Sequence, residues 1–483
     1  MNKKLKVLPL VSLASVLCIS GCNLFKKKTA ERNENELYVT VYDGGYGTQW
    51  IDQVAKDYEA KTGVKVNWTA DQSILDRMDS EIENPESDIY MSHDIRWQEY
   101  AEAGQLECLD DLYDSEVEGT GKKFKERLCL GAEEVSKLSD GHYYKVCYTQ
   151  GAGGLIYNKK MFQDNGWSVP TTYNELKALC QTIADANLMT PDLQKVVPIA
   201  WSGADREYYW DYIVFEWWAQ LGGAEAVNKY KAYKGDDGKY STGYQVYNPA
   251  TNHKEFVQAY KLWHELIAQN ESFSNTKAQE AKLVTVNSMF ASGQAAMIPY
   301  AQWAKYEIQN NSGINFDFDI AMMKTPRVDG AVGDFNYNVG FGDSIIIPKD
   351  IPDSSKANAK NFLRYLAGKE GCKTFVEKAR GAFLAFDYSI VDLGNLLNDT
   401  YIASVYNKLT TCTNVNVCSM NPVAYINSAA IMPWINNTYY YAKAYADKDN
   451  SAYQYETVGN NLYTTAQNGW ASWVSLAGIG ANE

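Results

Sequence analysis

Residues 37–68 read LYVTVYDGGYGTQWIDQVAKDYEAKTGVKVNW, and this stretch decides the fold class. Leu37–Val41 alternates apolar and polar residues, which predicts a strand. Trp50–Thr62 carries apolar residues at helical spacing and is followed by Gly63, a residue typical of the position after a helix. Val64–Trp68 is the next predicted strand. This order of elements favours a largely parallel α/β sheet, in which ligands bind at the carboxyl ends of the strands.

The composition of the chain is that of a globular protein. Its 483 residues are 46% hydrophobic and 22% charged, with a formal net charge of −14. This length predicts two or three domains, and the negative charge argues against a nucleic-acid partner. Taken together, the 36 Tyr and 13 Trp greatly outnumber the 15 Phe. Because Tyr and Trp combine an apolar ring with a polar group, this excess indicates a binding surface that is partly exposed to water.

The N-terminus has the pattern of a lipoprotein signal peptide. Lysines near the start precede Val7–Ile19, an apolar stretch too short to span a bilayer. The stretch ends in the sequence ISGC at residues 19–22, which resembles the lipobox of bacterial lipoproteins. We therefore predict a signal peptide over residues 1–21, lipidation of Cys22, and a tether over residues 22–36. The lipid would hold the protein on the extracellular face of the membrane.

The cysteines and histidines give weaker signals. Cys412 and Cys418 are the best candidates for a local disulfide. No CxxC pair and no Cys/His cluster has the spacing of a zinc site, so we predict neither a metal nor a cofactor. His93 and His142 are expected to make ordinary hydrogen bonds rather than to take part in catalysis.

Several longer motifs occur in a fixed order along the chain. They are Tyr90–Leu109, Gly153–Leu176, Met289–Trp303, which reads MFASGQAAMIPYAQW, and Ile345–Ala367. Together they resemble the extracellular solute-binding proteins of ABC importers, in the carbohydrate-binding branch that includes maltose-binding protein. The motifs cover roughly residues 37–385.

The resemblance implies an α/β fold with two lobes, of the type II periplasmic-binding-protein kind, a ligand cleft between them and a hinge of two to three chain crossings. Lobe one is expected to comprise residues 37–147 and 298–338, and lobe two residues 148–297 and 339–483. The resemblance also implies a monomer without enzymatic activity. Its partners would be a carbohydrate ligand and the transmembrane permease subunits of an ABC importer.

A sugar presents apolar C–H faces that stack on aromatic rings, and hydroxyls that need hydrogen-bond partners once desolvated. The resemblance makes Trp303 a ligand-facing residue, because it ends its motif just after a predicted strand; Trp201 follows another strand in the same way. Trp217, Trp218 and Trp263 fall within helical patterns and are assigned to the core. The predicted ligand-binding residues are Asp43, Tyr46, His93, Asp94, Tyr148, Gln150, Trp201, Asp205, Trp210, Trp303, Asn338, Phe341 and Asp343.

Two alternatives to sugar capture stay open. A polyamine or peptide could be the ligand, because acidic groups and aromatic rings can also surround an amine. A surface glycosidase would need two carboxylates at a set separation across the sugar. Asp94 and Asp205 could be arranged in that way, but carboxylates serve equally well as acceptors for hydroxyl groups. Nothing in the sequence requires turnover.

Overall fold

The computed structural model describes residues 32–204, 209–267, 271–338, 340–415 and 455–476. The strands are β1 Glu36–Val41, β2 Lys65–Ala70, β3 Ile89–Ser92, β4 Glu116–Val117, β5 Lys122–Lys123, β6 Val146–Cys147, β7 Thr149–Gln150, β8 Gly153–Asn158, β9 Val197–Ile199, β10 Ala295–Ala301, β11 Ile320–Met322, β12 Phe335–Tyr337, β13 Ser344–Ile346, β14 Phe383–Leu384 and β15 Thr413–Val415. The helices are α1 Gln49–Thr62, α2 Met78–Glu83, α3 Trp97–Glu102, α4 Asp110–Asp114, α5 Phe124–Arg127, α6 Lys159–Asp164, α7 Tyr173–Ala186, α8 Trp210–Ala232, α9 Lys254–Ile267, α10 Leu283–Ala291, α11 Ala304–Ser312, α12 Asp353–Leu366, α13 Lys369–Lys378, α14 Thr400–Thr411 and α15 Tyr455–Leu476. None of the helices in these ranges has both the length and the apolar character to span a bilayer.

The first lobe is built on a five-stranded sheet with the order β2-β1-β3-β13-β6. β1 pairs in parallel with β2 and β3, whereas β13 runs antiparallel to β3 and β6. α1 buries Trp50, Ile51 and Val54 and ends at Gly63, whose φ of 76° is one that glycine adopts without strain. The strand–helix–strand unit predicted from residues 37–68 is confirmed.

The second lobe is built on a four-stranded sheet with the order β11-β8-β10-β9. β10 runs antiparallel to β8 and parallel to β9. Helices α7 and α8 pack on this sheet and α9 packs on α8, around a second hydrophobic core that contains Trp217, Trp218 and Trp263. The assignment of these three tryptophans to the core is confirmed.

The described chain passes between the two sheets three times. The first crossing joins β6 to β8, the second joins β11 to β13, and the third leads from α13, which packs on α1, to α14, which packs on β11. Short strands pair these segments, β14 with β7 and β12 with β15. The two-lobe α/β fold with a hinge of several crossings is confirmed.

The strand pairing corrects the expected boundaries of the lobes. Residues 298–338 were expected in lobe one, yet β10 continues to Ala301 in the second sheet and β11 pairs with β8 there, with Ile320 opposite Asn158. Residues 339–483 were expected in lobe two, yet β13 pairs with β3 in the first sheet, with Ile345 opposite Met91. The antiparallel pairing of β11 keeps the chain in lobe two until it crosses back through β12.

Candidate ligand-binding cleft

A cavity of about 390 Å³ opens between the two lobes. Lobe one contributes Tyr42, the loop Gly44–Tyr46 after β1, and Ser92–Asp94 at the end of β3. Its position at the carboxyl ends of parallel strands is the one predicted from the sequence. Lobe two and the crossings contribute the remaining lining residues, which are Tyr148, Tyr209, Tyr212, Leu283, Trp303, Glu307 and Asp343.

Trp303 is half-buried on the lobe-two side of the cavity. Its ring meets Tyr46 and Tyr209 edge to face, with centroids 6.0 and 5.9 Å apart respectively. The indole Nε1–H donates a hydrogen bond of 3.2 Å to the hydroxyl of Tyr209. A Cβ at Gly45 would lie only 2.7 Å from Cγ of Trp303, so the loop after β1 packs its backbone directly on the indole. The absence of a side chain at Gly45 therefore makes this close contact between the lobes possible.

Asp343 lies in the second crossing, where two hydroxyl groups hold its carboxylate. The hydroxyls of Tyr46 and Thr149 donate to Oδ2 of Asp343 at 2.7 and 3.1 Å. Burial raises the pKa of Asp343, and these hydrogen bonds only partly offset that effect. Burial and the nearby carboxylate also raise the pKa of Tyr46 well above its ordinary value. Tyr46 therefore remains a hydrogen-bond donor at physiological pH.

Glu307 is the second carboxylate fixed by phenol groups. The hydroxyls of Tyr209 and Tyr300 donate to its Oε2 at 3.0 and 2.9 Å. Asn287 donates in turn to the hydroxyl of Tyr300 at 3.1 Å. Burial raises the pKa of both tyrosines well above the ordinary value, so they stay protonated and orient Glu307 as an acceptor.

His93 and Asp94 form a more exposed pair at the end of β3. His93 Nδ1 lies 3.0 Å from Asp94 Oδ2, and the imidazole meets the ring of Tyr42 edge to face at 4.4 Å. Asp94 has a φ of 51°, in the left-handed region that most residues avoid. Backbone strain of this kind is common where a side chain must face a ligand.

The cavity brings together six of the predicted ligand-binding residues. They are Tyr46, His93, Asp94, Tyr148, Trp303 and Asp343.

Trp201 and Trp210 lie elsewhere, in the core of lobe two, and this corrects the expectation that they line the cleft. Each is only 1% exposed. The ring of Trp201 meets Trp210 at 5.8 Å and Trp263 at 6.1 Å. Trp201 follows β9 but packs inward against Trp210 of α8 and Trp263 of α9.

Two further predicted residues hold the hinge together instead of lining the cavity. Oδ1 of Asn338 accepts hydrogen bonds from the backbone N–H groups of Gly151 and Gly340, at 2.8 and 3.2 Å. Nε2 of Gln150 donates to the carbonyl of Leu384 at 3.2 Å. Both side chains are buried, and each ties one crossing to another.

The other predicted residues fall outside the cavity or outside the described chain. Phe341 is buried, and its carbonyl accepts a hydrogen bond of 3.2 Å from Nζ of Lys145. Asp43 is half-buried in the loop after β1 but is not a lining residue. Asp205, Cys22 and Cys418, the predicted partner of Cys412, lie outside the described residues.

Several lining residues were not predicted. Glu307 lies four residues after Trp303 on α11, and this spacing places the two on one face of a helix, a signal that the sequence did contain. Tyr42 and Ser92 directly flank predicted residues of the same loops. Tyr212 lies three residues after Tyr209 at the start of α8, and Leu283 begins α10.

The described lining of the cavity includes three carboxylates, from Asp94, Asp343 and Glu307, and no lysine or arginine. Aromatic rings form much of the remaining surface. This combination suits a ligand that is neutral and rich in hydroxyl groups, or one that is cationic. It disfavours an anionic ligand, because the carboxylates would repel it.

Residues 44–371 match the family described as bacterial extracellular solute-binding protein. The chain belongs to this family. The matched range includes the second sheet, every strand of the first sheet except β1, and every lining residue of the cavity except Tyr42.

Two diacetylchitobiose binding proteins of Streptomyces coelicolor are similar to this solute-binding protein over part of their length. DasA is 33% identical over 165 residues, which are 32% of this chain and 36% of DasA. NgcE is 28% identical over 144 residues, which are 29% of this chain and 30% of NgcE. The chain thus matches about a third of the length of these relatives.

Solved structures of RafE share the fold of this solute-binding protein. The apo-form from Streptococcus pneumoniae superposes with a TM-score of 0.63 at 18% identity, covering 90% of this chain and 98% of that one. RafE in complex with raffinose gives a TM-score of 0.62 at 17% identity, covering 90% and 99%. The likeness over nearly the whole chain confirms the two-lobe architecture.

Proposed function

We propose that this solute-binding protein captures a sugar or a small oligosaccharide between its lobes and delivers it to an ABC importer. The observation that carries the proposal is the cavity lining, in which aromatic rings stand beside fixed carboxylates and the described residues include no lysine or arginine. Its volume of about 390 Å³ falls within the range of ~300–1,000 Å³ typical of small-molecule sites.

Each wall of the cleft offers both kinds of contact that a sugar needs. On the lobe-two side, Trp303 provides a ring for the C–H face of a sugar, and Glu307 provides an oriented acceptor for its hydroxyls. On the lobe-one side, Tyr46 provides a ring, and Asp94 can accept a further hydroxyl hydrogen bond. A ligand that touches both walls binds the closed form better than the open one and so favours closure.

The names of similar proteins support a carbohydrate ligand. DasA and NgcE are diacetylchitobiose binding proteins, and RafE has been solved in complex with raffinose. We therefore propose neutral oligosaccharides of this kind as the first ligands to test.

The location and the partners follow from the same role. A diacylglycerol group on Cys22 and the tether 22–36 would keep the body at the extracellular face of the membrane, within reach of the permease subunits.

The protein would act as a monomer and without turnover. Asp343 and Glu307 are each tied to two hydroxyl groups, an arrangement that suits acceptors for a bound sugar.

A polyamine is the second candidate ligand, and one observation favours it. The three carboxylates in the lining are not accompanied by any lysine or arginine of the described lining, so a cation would be attracted to the cavity.

Calorimetry and thermal unfolding with a small ligand panel test the proposal. We expect diacetylchitobiose or raffinose to bind with one site and to raise the melting temperature, because a ligand that binds only the folded state stabilises it. Binding of spermidine without binding of any oligosaccharide would overturn the proposal in favour of the polyamine. Release of shorter sugars over time would show a hydrolase instead.

A further inference from the structure

Outside the cleft, a cysteine, an aspartate and a histidine of lobe one come together. One potential ligand atom from each of Cys108, Asp110 and His142 lies within 4.8 Å of the other two. His142 Nδ1 is 2.6 Å from Asp110 Oδ2. The thiol of Cys108 is free and its residue is exposed, so all three groups can be reached from solvent. We propose that these three side chains form a binding site for Zn²⁺ or a similar borderline-soft divalent cation.

The donor set selects the class of metal. Thiolate sulfur and imidazole nitrogen are typical ligands of Zn²⁺, and a carboxylate oxygen commonly completes such a set. Ca²⁺ and Mg²⁺ prefer oxygen ligands throughout and would gain little from Cys108 or His142. With three protein ligands, a water molecule would occupy the fourth position of a tetrahedral site.

The distances between the three potential ligand atoms are close to those in a metal site. Zn–S bonds of ~2.3 Å and Zn–N bonds of ~2.0–2.1 Å in tetrahedral geometry place neighbouring ligand atoms about 3.4–3.6 Å apart. The distance of 2.6 Å between His142 and Asp110 would have to open, and the thiol, within 4.8 Å of both, would need to move by roughly one ångström. Rotation about the side-chain torsions of exposed residues can supply movements of this size.

The backbone already holds the two ligand-bearing segments together. The N–H of Leu109, between Cys108 and Asp110, donates to the carbonyl of Tyr143 at 2.8 Å. The N–H of Tyr143, next to His142, donates to Oδ1 of Asp110 at 3.0 Å. Because both segments are fixed before any metal arrives, little ordering entropy opposes binding. The second carboxylate oxygen, Oδ2, is the one that faces His142.

Metal titration of the purified, metal-free protein tests the site. We expect one equivalent of Zn²⁺ to bind and to raise the melting temperature. Addition of Co²⁺ should produce a thiolate-to-cobalt charge-transfer band. Cys108→Ser and His142→Gln should each weaken Zn²⁺ binding at least tenfold, and Cys108→Ser should abolish the band.

Cys412→Ser is the matched control, because it removes a cysteine that lies outside the group. We expect it to bind Zn²⁺ as the unmodified protein does. Absence of Zn²⁺ binding and of the cobalt band in the unmodified protein would overturn the proposal without the use of any variant. Binding that survives Cys108→Ser unchanged would overturn it as well, since the metal would then sit elsewhere. Neither result bears on sugar binding in the cleft.

Discussion

The ring of Tyr46 in lobe one meets the ring of Trp303 in lobe two edge to face, with 6.0 Å between their centroids. Each ring is held by a hydrogen bond. The hydroxyl of Tyr46 donates to Asp343 at 2.7 Å, and the indole N–H of Trp303 donates to the hydroxyl of Tyr209 at 3.2 Å. The cleft therefore closes on two oriented aromatic rings, one from each lobe. Changes at this contact test the proposed binding mode most directly.

Replacement of Trp303 by alanine should weaken sugar binding at least tenfold, in line with the ~2 kcal/mol typical of a buried aromatic contact with a ligand. We expect the variant to stay folded, because Trp303 is only half-buried. Calorimetry gives the affinity, and circular dichroism checks the fold. Trp68→Ala is the matched control, since Trp68 is also half-buried but lies on β2, outside the cavity lining. Unchanged affinity in Trp303→Ala would contradict the role proposed for this ring.

Gly45→Ala should weaken sugar binding by displacing the indole of Trp303, while every aromatic and polar side chain of the cavity lining is kept. The new Cβ would lie 2.7 Å from Cγ of Trp303, so the indole or the loop after β1 has to move. Tryptophan fluorescence and calorimetry would follow the displacement and the affinity. Gly333→Ala is the control, because a Cβ there meets its nearest neighbour at an ordinary 3.4 Å. Equal affinities for the two variants would show that the position of the indole does not matter.

The parts of the fold that depend on local pattern could be predicted from the sequence. The unit β1–α1–β2 follows from apolar spacing and from Gly63, and Tyr46 follows from its place in the loop after the first predicted strand. Trp201 obeys the same rule, yet it is buried, because its ring packs against Trp210 of α8 and Trp263 of α9. Whether a strand end is open depends on packing between distant segments, and one sequence does not encode that in any short pattern.

The lobe boundaries and the metal-ligand group depend on long-range pairing as well. β13 joins the first sheet through its bonds to β3, and no local feature of residues 344–346 indicates this. Asp110 and His142 are separated by 32 positions in sequence and meet because Leu109 pairs with Tyr143. A search for zinc spacing along the chain therefore could not find them.

Replacement of Cys22 by serine should abolish labelling with a radioactive or clickable fatty acid in cells. Without the thiol no diacylglycerol can be attached, so the protein should appear uncleaved or in the medium rather than anchored. Cys412→Ser should leave labelling unchanged. Continued labelling of Cys22→Ser would show that the lipidated residue lies elsewhere.

The carboxyl of Asp211 on α8 should make a contribution to stability that decreases as pH rises from about 4 to about 7. Burial raises the pKa of its carboxyl from 3.8 to about 7. Within this window the folded carboxyl keeps a proton that the unfolded chain releases, so the free energy of unfolding decreases with pH. Asp211→Asn cannot ionise, and we expect its melting temperature to exceed that of the unmodified protein at pH 8 but not at pH 4.

The control for this pH series is Asp192→Asn, a change at an exposed aspartate. Its melting temperature should follow that of the unmodified protein at every pH. If Asp211→Asn shows the same decline in stability between pH 4 and pH 7 as the unmodified protein, another group is responsible for the decline.

Closure of the cleft should depend on a contact that no ligand touches. Nη1 of Arg380, just after α13 in lobe one, donates a hydrogen bond of 2.6 Å to Oε1 of Gln309 on α11 in lobe two. Neither residue lines the cavity. We expect rotation of the lobes about the three crossings to break this bond, so that it stabilises the conformation described here relative to a more open one.

Arg380→Ala should therefore weaken sugar binding roughly fivefold, the factor that corresponds to a net hydrogen bond of ~1 kcal/mol present only in the closed state. Small-angle scattering of the unmodified protein should show a smaller radius of gyration with saturating sugar than without it, and the variant should need more sugar to reach the same decrease. Arg77→Ala, which removes an arginine paired with Asp71 and Glu81 inside lobe one, should change neither quantity. If a tightly bound sugar left the radius of gyration unchanged, the lobes would not move as a clamp. The contact between Tyr46 and Trp303 would then belong to a preformed site, and the loss of Arg380 should have no effect on affinity.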